Sequence, residues 1–351
     1  MAYGQVNADV IGTSVAGSNL GAGNATNFKN RIINGDMRID QRNAGASVTP
    51  ANTGANTYTL DRWFGYGSVV SKFSVQQNAG SVTTPVGFSN YLGVTSLSAY
   101  SVGAGDQFII GQAIEGFNTA DLGWGTANAK TVTLSFQIYS SLTGTFGGAL
   151  RNSAANYSYP FSYSIPVANT WTPISVTVAG PTSGTWVGAT NGIGINVFFG
   201  LCVGSTYSGT AGSWSANTYT SATGATSVVG TSGATFYITG VQLEVGSSAT
   251  GFDFRDYGRE LILCQRYYQT IPDGTIRIDG YGGAGYNATF SGIFAVTMRT
   301  SPTAVTSWST ATNITNGPFA SATVSGFNGA GNTASGAFIG IVALSTFSSE
   351  L

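Results

Sequence analysis

Histidine is absent from this chain, and only two cysteines, Cys202 and Cys264, are present among its 351 residues. Without histidine, neither a Ser-His-Asp nor a Cys-His catalytic triad can form, and metal sites built on imidazole are excluded as well. The two cysteines lie far apart and follow neither a metal-binding nor a disulfide pattern. We therefore expect a protein that is not an enzyme and that carries no cofactor.

Charged side chains are the second shortage, because they make up 8% of the chain, whereas about a quarter is usual. None occurs from Asn152 to Leu243. The net charge of −1 gives no long-range attraction to nucleic acid or to an anionic membrane, and a charge near zero favours association. We expect a homo-oligomer without nucleic-acid partners. A monomer kept soluble by hydroxyl and amide groups is the alternative.

Long apolar runs are missing too, so we expect no membrane insertion. The first residues, MAYGQVNADVIG, have neither the basic nor the apolar part of a signal peptide. Synthesis in the cytoplasm is the expectation, with lysis as the route of release for any role outside the cell.

Residues 1–27 are small and polar, and such a segment cannot form a core of its own. Because free chain ends usually fray unless something holds them, we expect an extended arm that docks on a neighbouring subunit or on a larger particle. An arm that lies along its own domain is the alternative.

What the chain does contain is a long series of strand patterns. Apolar and polar residues alternate at 132–139, 161–167 and 174–178, which indicates strands with one buried face. Ile193–Val203 is apolar on both faces, which predicts a central or covered strand where Cys202 is a small buried hydrophobe. After Gly240 the apolar residues change parity, as at a β-bulge. Many short strands between turn signals predict an all-β fold, a jelly-roll β-sandwich.

One helix is predicted, at about residues 256–268, DYGRELILCQRYY, with Leu261, Cys264 or Gln265, and Tyr268 on one face. Short strand patterns return after it. The predicted organisation is therefore an N-terminal arm at 1–27, a jelly-roll β-sandwich at 28–254, a connecting helix at 255–269 and a small second β domain at 270–351.

Most charges fall in two islands, one from Lys29 to Arg42 and one from Glu244 to Asp279. Signs alternate within them, and arginine neighbours keep carboxylates ionised by lowering their pKa. This pattern favours a structural ion-pair network that joins the first strands to the last strand and the helix. A catalytic carboxylate pair, as in glycoside hydrolysis, is the alternative. The predicted network consists of Asp36, Arg38, Asp61, Arg62, Asp253, Arg255, Arg259 and Glu260.

Aromatic residues recur in the uncharged region beside Gly, Asn and Ser. Aromatic faces stack on sugar rings and the small polar side chains supply hydrogen bonds, so these residue types suit a neutral glycan. Tyr157 and Tyr159, in NYSYP, are the favoured candidates, whereas for Trp171 and Trp186 packing in the core or between strands is favoured over sugar binding. The candidate glycan-binding residues are Tyr157, Tyr159, Trp186, Trp214 and Tyr219.

Five motifs follow one another along the chain: NRIINGDMRIDQRNAG, YTLDRWF, QAIEGFNTADLGWG, TVTLSFQIYSS and TGVQLEVGSSATGFDFRDYGRELILCQRYY. With FAVTMRTSPTAVTSW and the final SSEL, they resemble the jelly-roll tail-fibre and virion structural proteins of tailed bacteriophages. The resemblance covers about residues 28–351. It implies a sandwich similar to carbohydrate-binding modules, followed by a carboxy-terminal β module.

The resemblance also implies a homotrimer, an arm that docks on other virion proteins, and a place in the virion. Some similar modules hold a structural calcium ion between their first and last strands, and the matching carboxylates are Asp36 and Glu244. Two carboxylates are few for calcium, which takes six to eight oxygen ligands, so we expect no metal. Gly251 and Asp253 depart from the Pro and Glu common in the family at this point.

Three functions follow as hypotheses. The leading one is a virion fibre or spike component that contributes to recognition of a host-surface polysaccharide without catalysis. The second is a capsid decoration, head-fibre or connector protein with no ligand. The third is a glycan depolymerase, which is disfavoured because most carboxylates stand close to arginine in the sequence.

Overall fold

The computed structural model describes residues 29–51, 54–315 and 318–351, and the predicted arm at 1–27 lies outside them. The described chain folds into two large antiparallel sheets, one α-helix and four small sheets, which confirms the predicted all-β class. No helix in these ranges is long and apolar enough to cross a membrane.

The two large sheets pack face to face as a β-sandwich. The six-stranded sheet has the order β1 (Thr57–Leu60), β2 (Trp63–Gly67), β5 (Gln107–Glu115), β10 (Ile193–Val203), β7 (Gly144–Arg151), β8 (Ser158–Ile165). The five-stranded sheet has the order β3 (Phe73–Gln77), β4 (Leu92–Ser96), β13 (Thr235–Val245), β6 (Val132–Ser140), β9 (Thr172–Val178). Two short strands, β11 (Ser208–Gly209) and β12 (Ser221–Ala222), pair in parallel. Three short 3₁₀ helices lie at Ala79–Ser81, Gly116–Asn118 and Ala120–Leu122.

The main core lies between the two large sheets, where the alternating residues of each strand meet. Phe199 of β10 contacts Trp63 and Phe136, with ring centroids 6.3 and 5.0 Å apart. Strand β10 lies between β5 and β7, and its Phe198 is buried on the outer face against Phe64. The prediction of a central strand that is apolar on both faces is therefore confirmed.

Two irregularities shape the sandwich strands. The register of β13 against β6 shifts between Thr239 and Gln242, which confirms the predicted bulge at Gly240. A second shift, between Gly200 and Cys202 of β10, turns Cys202 toward the main core, where it is only partly buried. Strict alternation along Ile193–Val203 would place Cys202 on the same face as Phe198, and it fails here because an irregular register reverses the parity of the residues after it.

The helix, α1 (Tyr257–Gln265), is shorter than predicted. It begins at Asp256, whose side chain accepts a hydrogen bond from the backbone N–H of Arg259, as an N-cap residue does. Its buried side chains include Cys264, which packs with Tyr267 against the first loop of the sandwich. Tyr268 is not helical, because its backbone pairs with a strand from the end of the chain. The predicted helix at 255–269 therefore includes residues that tertiary pairing draws into a sheet.

Residues 268–351, here called the C-terminal module, form three small antiparallel sheets, in agreement with the strand patterns there. The first contains β14 (Tyr268–Ile271), β23 (Ser345–Ser348) and β17 (Thr303–Val305); the second β15 (Arg277–Gly282), β22 (Gly336–Val342) and β18 (Trp308–Thr312); the third β16 (Asn287–Ile293), β21 (Gly326–Thr333), β19 (Ile314–Thr315) and β20 (Phe319–Ala322). Its largest buried cluster holds only four residues, Phe294, Met298, Phe327 and Phe347.

Candidate functional site

Four of the five predicted glycan-binding aromatics meet at one place on the sandwich, around Trp214. Tyr157 stacks on Trp214 with ring centroids 5.7 Å apart, and Tyr159 lies 5.2 Å from the same indole. Trp186 contacts it edge-on at 5.4 Å. Tyr219, the fifth candidate, has no ring contact with this group and packs beside Gly209 in the described structure.

Trp124 completes this group, which we call the tryptophan cluster (Trp124, Trp186 and Trp214 with Tyr157 and Tyr159). Its ring lies 4.9 Å from Trp186 and 5.4 Å from Trp214. Sequence reasoning missed Trp124 as a member, because it stands outside the uncharged region from which the candidates were taken. Trp124 follows the 3₁₀ turn at Ala120–Leu122 and its C-cap residue, Gly123.

Every indole N–H of the tryptophan cluster already has a backbone acceptor. The acceptors of Trp124, Trp186 and Trp214 are the carbonyl oxygens of Lys130, Ser183 and Ala179, at 2.9, 3.1 and 2.7 Å. A cavity of about 200 Å³ remains beside Trp124 and Trp186, but no free indole donor points into it. The cluster therefore fastens three loops together, which is a packing role of the kind that the sequence favours for Trp186.

A larger groove lies on the outer face of the five-stranded sheet, and we call it the sheet groove. Its volume is about 440 Å³. The floor is formed by Ser135 and Gln137 of β6 and by Pro173 and Ser175 of β9. The walls are two loops, one before β4 and one after β13, which contribute Val86, Phe88, Phe252 and Phe254.

The floor of the sheet groove carries polar groups that are free to bind a ligand. Ser135, Gln137 and Ser175 are partly or fully exposed, and none of the three side chains makes a hydrogen bond to any other described residue. Two hydroxyls and a carboxamide supply both donors and acceptors. This set of groups suits the hydroxyls of a sugar, which also donate and accept.

The wall of the sheet groove is aromatic. Phe88, Phe252 and Phe254 contact one another, with ring centroids between 4.8 and 5.3 Å apart, and Phe254 keeps 54% of its surface exposed. The bulge at Gly240 sets the position of this wall. A Cβ atom on Gly240 would lie 2.6 Å from Cζ of Phe88, so only glycine lets the ring lie there.

A second aromatic group continues the same outer face. Tyr139 and Tyr237 stack with an interplanar angle of 7°, and Trp171 lies 5.5 Å from Tyr139. Tyr139 follows Gln137 on the same face of β6, because side chains two apart along a strand point the same way. Trp171 is thus an outer-face residue, partly buried against this aromatic group and outside the core between the sheets.

The sheet groove is lined by uncharged residues, and a charged cavity adjoins it. This cavity of about 340 Å³ shares Phe88 and Phe254 with the groove and adds Asp36, Arg38 and Arg255, the last of which pairs with Glu260. Arg38 Nε donates to Asp36 Oδ2 at 2.6 Å, so the pair contributes little net charge. A neutral ligand therefore fits both spaces better than an ion does.

The aromatic residues and Gln137 of the sheet groove lie outside the uncharged region from which the glycan-binding candidates were taken. Phe252 and Phe254 stand two apart in GFDF, beside Gly251, at the position where the chain departs from the family pattern. Phe88 follows Gly87 in a loop, and Gln137 is one of the polar residues of the alternating strand. All four residues lie outside the uncharged span after Asn152, and they come together only in the folded chain.

The predicted ion-pair network forms around Arg255. Its guanidinium lies 3.2 Å from Glu260 and donates to the carbonyl oxygens of Ile32 and Asn30. Glu260 in turn accepts the backbone N–H of Asn34. These contacts join the first loop of the sandwich to the helix.

Other predicted members join more loosely. Asp36 and Arg38 pair with each other, and Arg38 also donates to the carbonyl oxygen of Arg255 at 2.8 Å. Asp253 lies 4.0 Å from Arg255, at the limit of an ion pair. Arg259 is exposed, and its backbone N–H caps the helix through Asp256.

Asp61 and Arg62 belong to a separate group, which we call the junction, formed with Arg42 and Glu350. The Glu350 carboxylate pairs with both arginines, and Arg42 lies 3.4 Å from Asp61. Burial raises the pKa of Asp61 from 3.8 to about 6, although Arg42 opposes the rise. The junction ties the C-terminal module to the sandwich, a role that the sequence did not predict for Glu350.

Glu115 is a further buried carboxylate that sequence reasoning missed. Burial alone would raise its pKa, but hydrogen bonds from Arg266 and Tyr267 outweigh burial and lower the pKa of Glu115. Arg266 Nη2 lies 2.5 Å from the carboxylate. Because Arg266 follows the helix, this contact fixes the end of the helix on strand β5.

The possible calcium ligands Asp36 and Glu244 have separate protein partners. Asp36 pairs with Arg38, whereas Glu244 accepts hydrogen bonds from Gln242 and Thr250. Among the described residues, no three His, Cys, Asp or Glu side chains lie close enough to hold a metal ion. Both carboxylates therefore use their oxygens for contacts with protein groups.

No protein-family model matches the chain, and no curated protein matches it in sequence. Among solved structures, an enzymatically active domain of tailspike protein 4 of bacteriophage CBA120 is 13% identical, with a TM-score of 0.34, over 62% of this chain and 21% of that one. A putative sugar-binding protein from Bacteroides thetaiotaomicron is 11% identical, with a TM-score of 0.36, over 62% of this chain and 100% of that one.

A family 11 carbohydrate-binding module of a Clostridium thermocellum cellulase is 12% identical, with a TM-score of 0.28, over 58% of this chain and 98% of that one. The chain thus spans about a fifth of the tailspike chain and nearly the full length of the other two. At these TM-scores the likenesses do not assign a function to this chain. The function is inferred below from the contacts within the sheet groove.

Proposed function

We propose that this protein is a non-enzymatic component of a bacteriophage virion, a fibre or spike, that binds a neutral glycan of the host surface in the sheet groove. The observation that supports binding is the combination of an exposed aromatic wall and three polar floor side chains without partners. The sequence motifs of the virion proteins support the place in the particle. The proposal includes a homotrimer whose arm, residues 1–27, docks on other virion proteins.

The sheet groove is a better candidate than the tryptophan cluster for a physical reason. A sugar site needs aromatic surface together with unpaired donors and acceptors. In the cluster the three indole N–H groups are already bonded, whereas Gln137 and its two serine neighbours have their groups free. The predicted residues Tyr157 and Tyr159 accordingly become the second choice.

Binding of the purified chain to an array of neutral oligosaccharides, followed by calorimetry with the best binder, tests the proposal. We expect Phe254→Ala and Gln137→Ala each to weaken binding about fivefold, because one stacking or hydrogen-bonding contact is worth about 1 kcal/mol. Phe117→Ala is the matched control, since Phe117 is 56% exposed and lies outside the groove.

The same variants identify the failure of the proposal. Loss of binding in Tyr157→Ala with normal binding in Phe254→Ala would move the site to the tryptophan cluster. If the wild type binds no glycan on the array, the second candidate applies, a capsid decoration, head-fibre or connector protein without a ligand. The small, largely exposed C-terminal module favours that candidate, because such surface suits contact with other proteins.

A glycan depolymerase is the least supported function. Cleavage requires two carboxyl groups on opposite sides of the glycosidic bond, and the residues that line the sheet groove include no Asp or Glu. Asp36, in the adjoining cavity, is paired with Arg38. A fall in the viscosity of a host polysaccharide on incubation with the protein would overturn this assignment.

A further inference from the structure

Arg151 is the single charged residue between Lys130 and Glu244, and it lies on the sheet opposite to the sheet groove. It stands at the end of β7 on the outer face of the six-stranded sheet, two residues after Ala149, which packs on that face. Its guanidinium lies over the ring of Phe198, 4.7 Å from the centroid. A side chain in this position is partly removed from water.

The positive charge of Arg151 has no carboxylate partner among the described residues. Nη1 donates to the hydroxyl of Thr218 at 3.1 Å, while Nε is buried without a hydrogen-bond acceptor. Burial lowers the pKa of Arg151 to about 10. Burial of a charge without a counter-ion is unfavourable. A negatively charged ligand beside Arg151 would therefore be stabilising.

Asn196 stands directly beside Arg151 and is also without a partner. The two residues are opposite each other in the register of β7 and β10, and side chains so placed lie about 4.5–5.5 Å apart at Cβ. Asn196 is 6% exposed, yet its carboxamide makes no hydrogen bond to another described residue. The Asn196 carboxamide is not among the fully buried side-chain groups that lack a hydrogen-bond partner, so its N–H₂ donors are accessible to a ligand beside Arg151.

We propose that Arg151 and Asn196 bind a single oxyanion, the carboxylate or the phosphate group of a ligand. Arginine and an amide N–H₂ are both donors, and their hydrogen bonds to an ionised oxygen are about twice as strong as neutral ones. Thr218 holds one guanidinium nitrogen and Phe198 supports its plane, which leaves the Nη2 side for the ligand. The site is independent of the sheet groove, because it lies on the other sheet.

Sodium glucuronate and inorganic phosphate, titrated separately into the full chain at low salt, test the site. We expect one of them to bind, and Arg151→Met to weaken that binding by about tenfold or more. Methionine retains an unbranched stem on Phe198 while removing the charge. Arg277→Met is the matched control, because Arg277 is exposed on the C-terminal module and pairs with Asp279; it should bind as the wild type does.

A second variant keeps the test valid if Arg151→Met does not fold. Asn196→Ala retains the charge and should weaken binding several-fold, and added salt should weaken binding to the wild type. The anion should raise the melting temperature of the wild type and not that of Arg151→Met. Binding of glucuronate alone identifies a carboxylate ligand, and binding of phosphate alone a phosphorylated one.

The proposal is overturned if neither anion binds the wild type, or if Arg151→Met and Asn196→Ala bind as tightly as the wild type. Absence of oxyanion binding would not contradict glycan binding in the sheet groove, because Arg151→Met should leave glycan binding unchanged. Conversely, a chain that binds no neutral glycan can still bind the anion.

Discussion

Arg255 joins three parts of the chain through one guanidinium, and its environment explains why its substitution should be severe. Its side chain is 7% exposed and that of Glu260 is 4% exposed, so removal of the arginine leaves a buried carboxylate unpaired. We expect Arg255→Ala to lower the free energy of unfolding by about 3–5 kcal/mol, the usual cost of breaking a buried pair. Urea unfolding followed by fluorescence measures the change.

Arg277→Ala is the control for that substitution. Arg277 and Asp279 form an ion pair whose side chains are 56% and 58% exposed, and exposed pairs contribute about 0–1 kcal/mol. A stable Arg255→Ala protein with an unchanged urea midpoint would show that the network does not hold the fold together.

Asp61 gives stability an unusual dependence on pH. Its pKa is raised by burial from 3.8 to about 6, so the folded state holds the proton more tightly than the unfolded state does. The contribution of Asp61 to stability therefore falls as the pH rises from about 4 to 6, by up to about 3 kcal/mol. Glu115 acts in the opposite direction, because its pKa is lowered and its contribution is lost when the pH falls.

Comparison of Asp61→Asn with the wild type isolates the first of these effects. The stability difference between the two proteins, measured by urea unfolding at several pH values, should shift in favour of the variant as the pH rises through this window. A difference that stays constant from pH 4 to 7 would contradict the raised pKa.

At the scale of elements, the bulge in β13 determines the shape of the sheet groove. Gly240 has φ of +61°, a left-handed conformation that costs other residues about 1–2 kcal/mol. We expect Gly240→Ala to lower stability by at least this amount and to displace Phe88, which weakens glycan binding. Gly246→Ala, at another positive φ but with no atom within 4 Å of the added Cβ, should lower stability and leave glycan binding unchanged.

The elements show what a single sequence can predict. Strand β10 and the bulge at Gly240 were predicted with their boundaries, because alternation and parity are local properties. The end of the helix was not predicted correctly. Tyr268 lies outside the helix because its backbone pairs with β23, more than seventy residues later in the chain. The sheet groove was missed for the same reason: Phe88, Gln137 and Phe254 meet only after three distant segments are folded together.

At the scale of the whole molecule, the C-terminal module is thinly packed and exposes large apolar side chains. Tyr281 is 84% and Ile293 is 89% exposed, and small modules with few core residues usually need support from partners. We expect the full chain to form a homotrimer through this module, as judged by light scattering after size exclusion, and Ile293→Lys to shift it toward the monomer. Val167→Lys, at an exposed site on the sandwich, is the control, and a monomeric wild type would contradict the expectation.

The junction has a consequence for how the molecule melts. The Glu350 carboxylate pairs with Arg62 and Arg42, which lie 288 and 308 positions away in the chain, so the sandwich and the C-terminal module share buried ion pairs that neither can keep alone. If either part unfolds, the buried charges of the other part lose their ion-pair partners. Calorimetry should accordingly record one cooperative transition for both, and Glu350→Gln should split it in two.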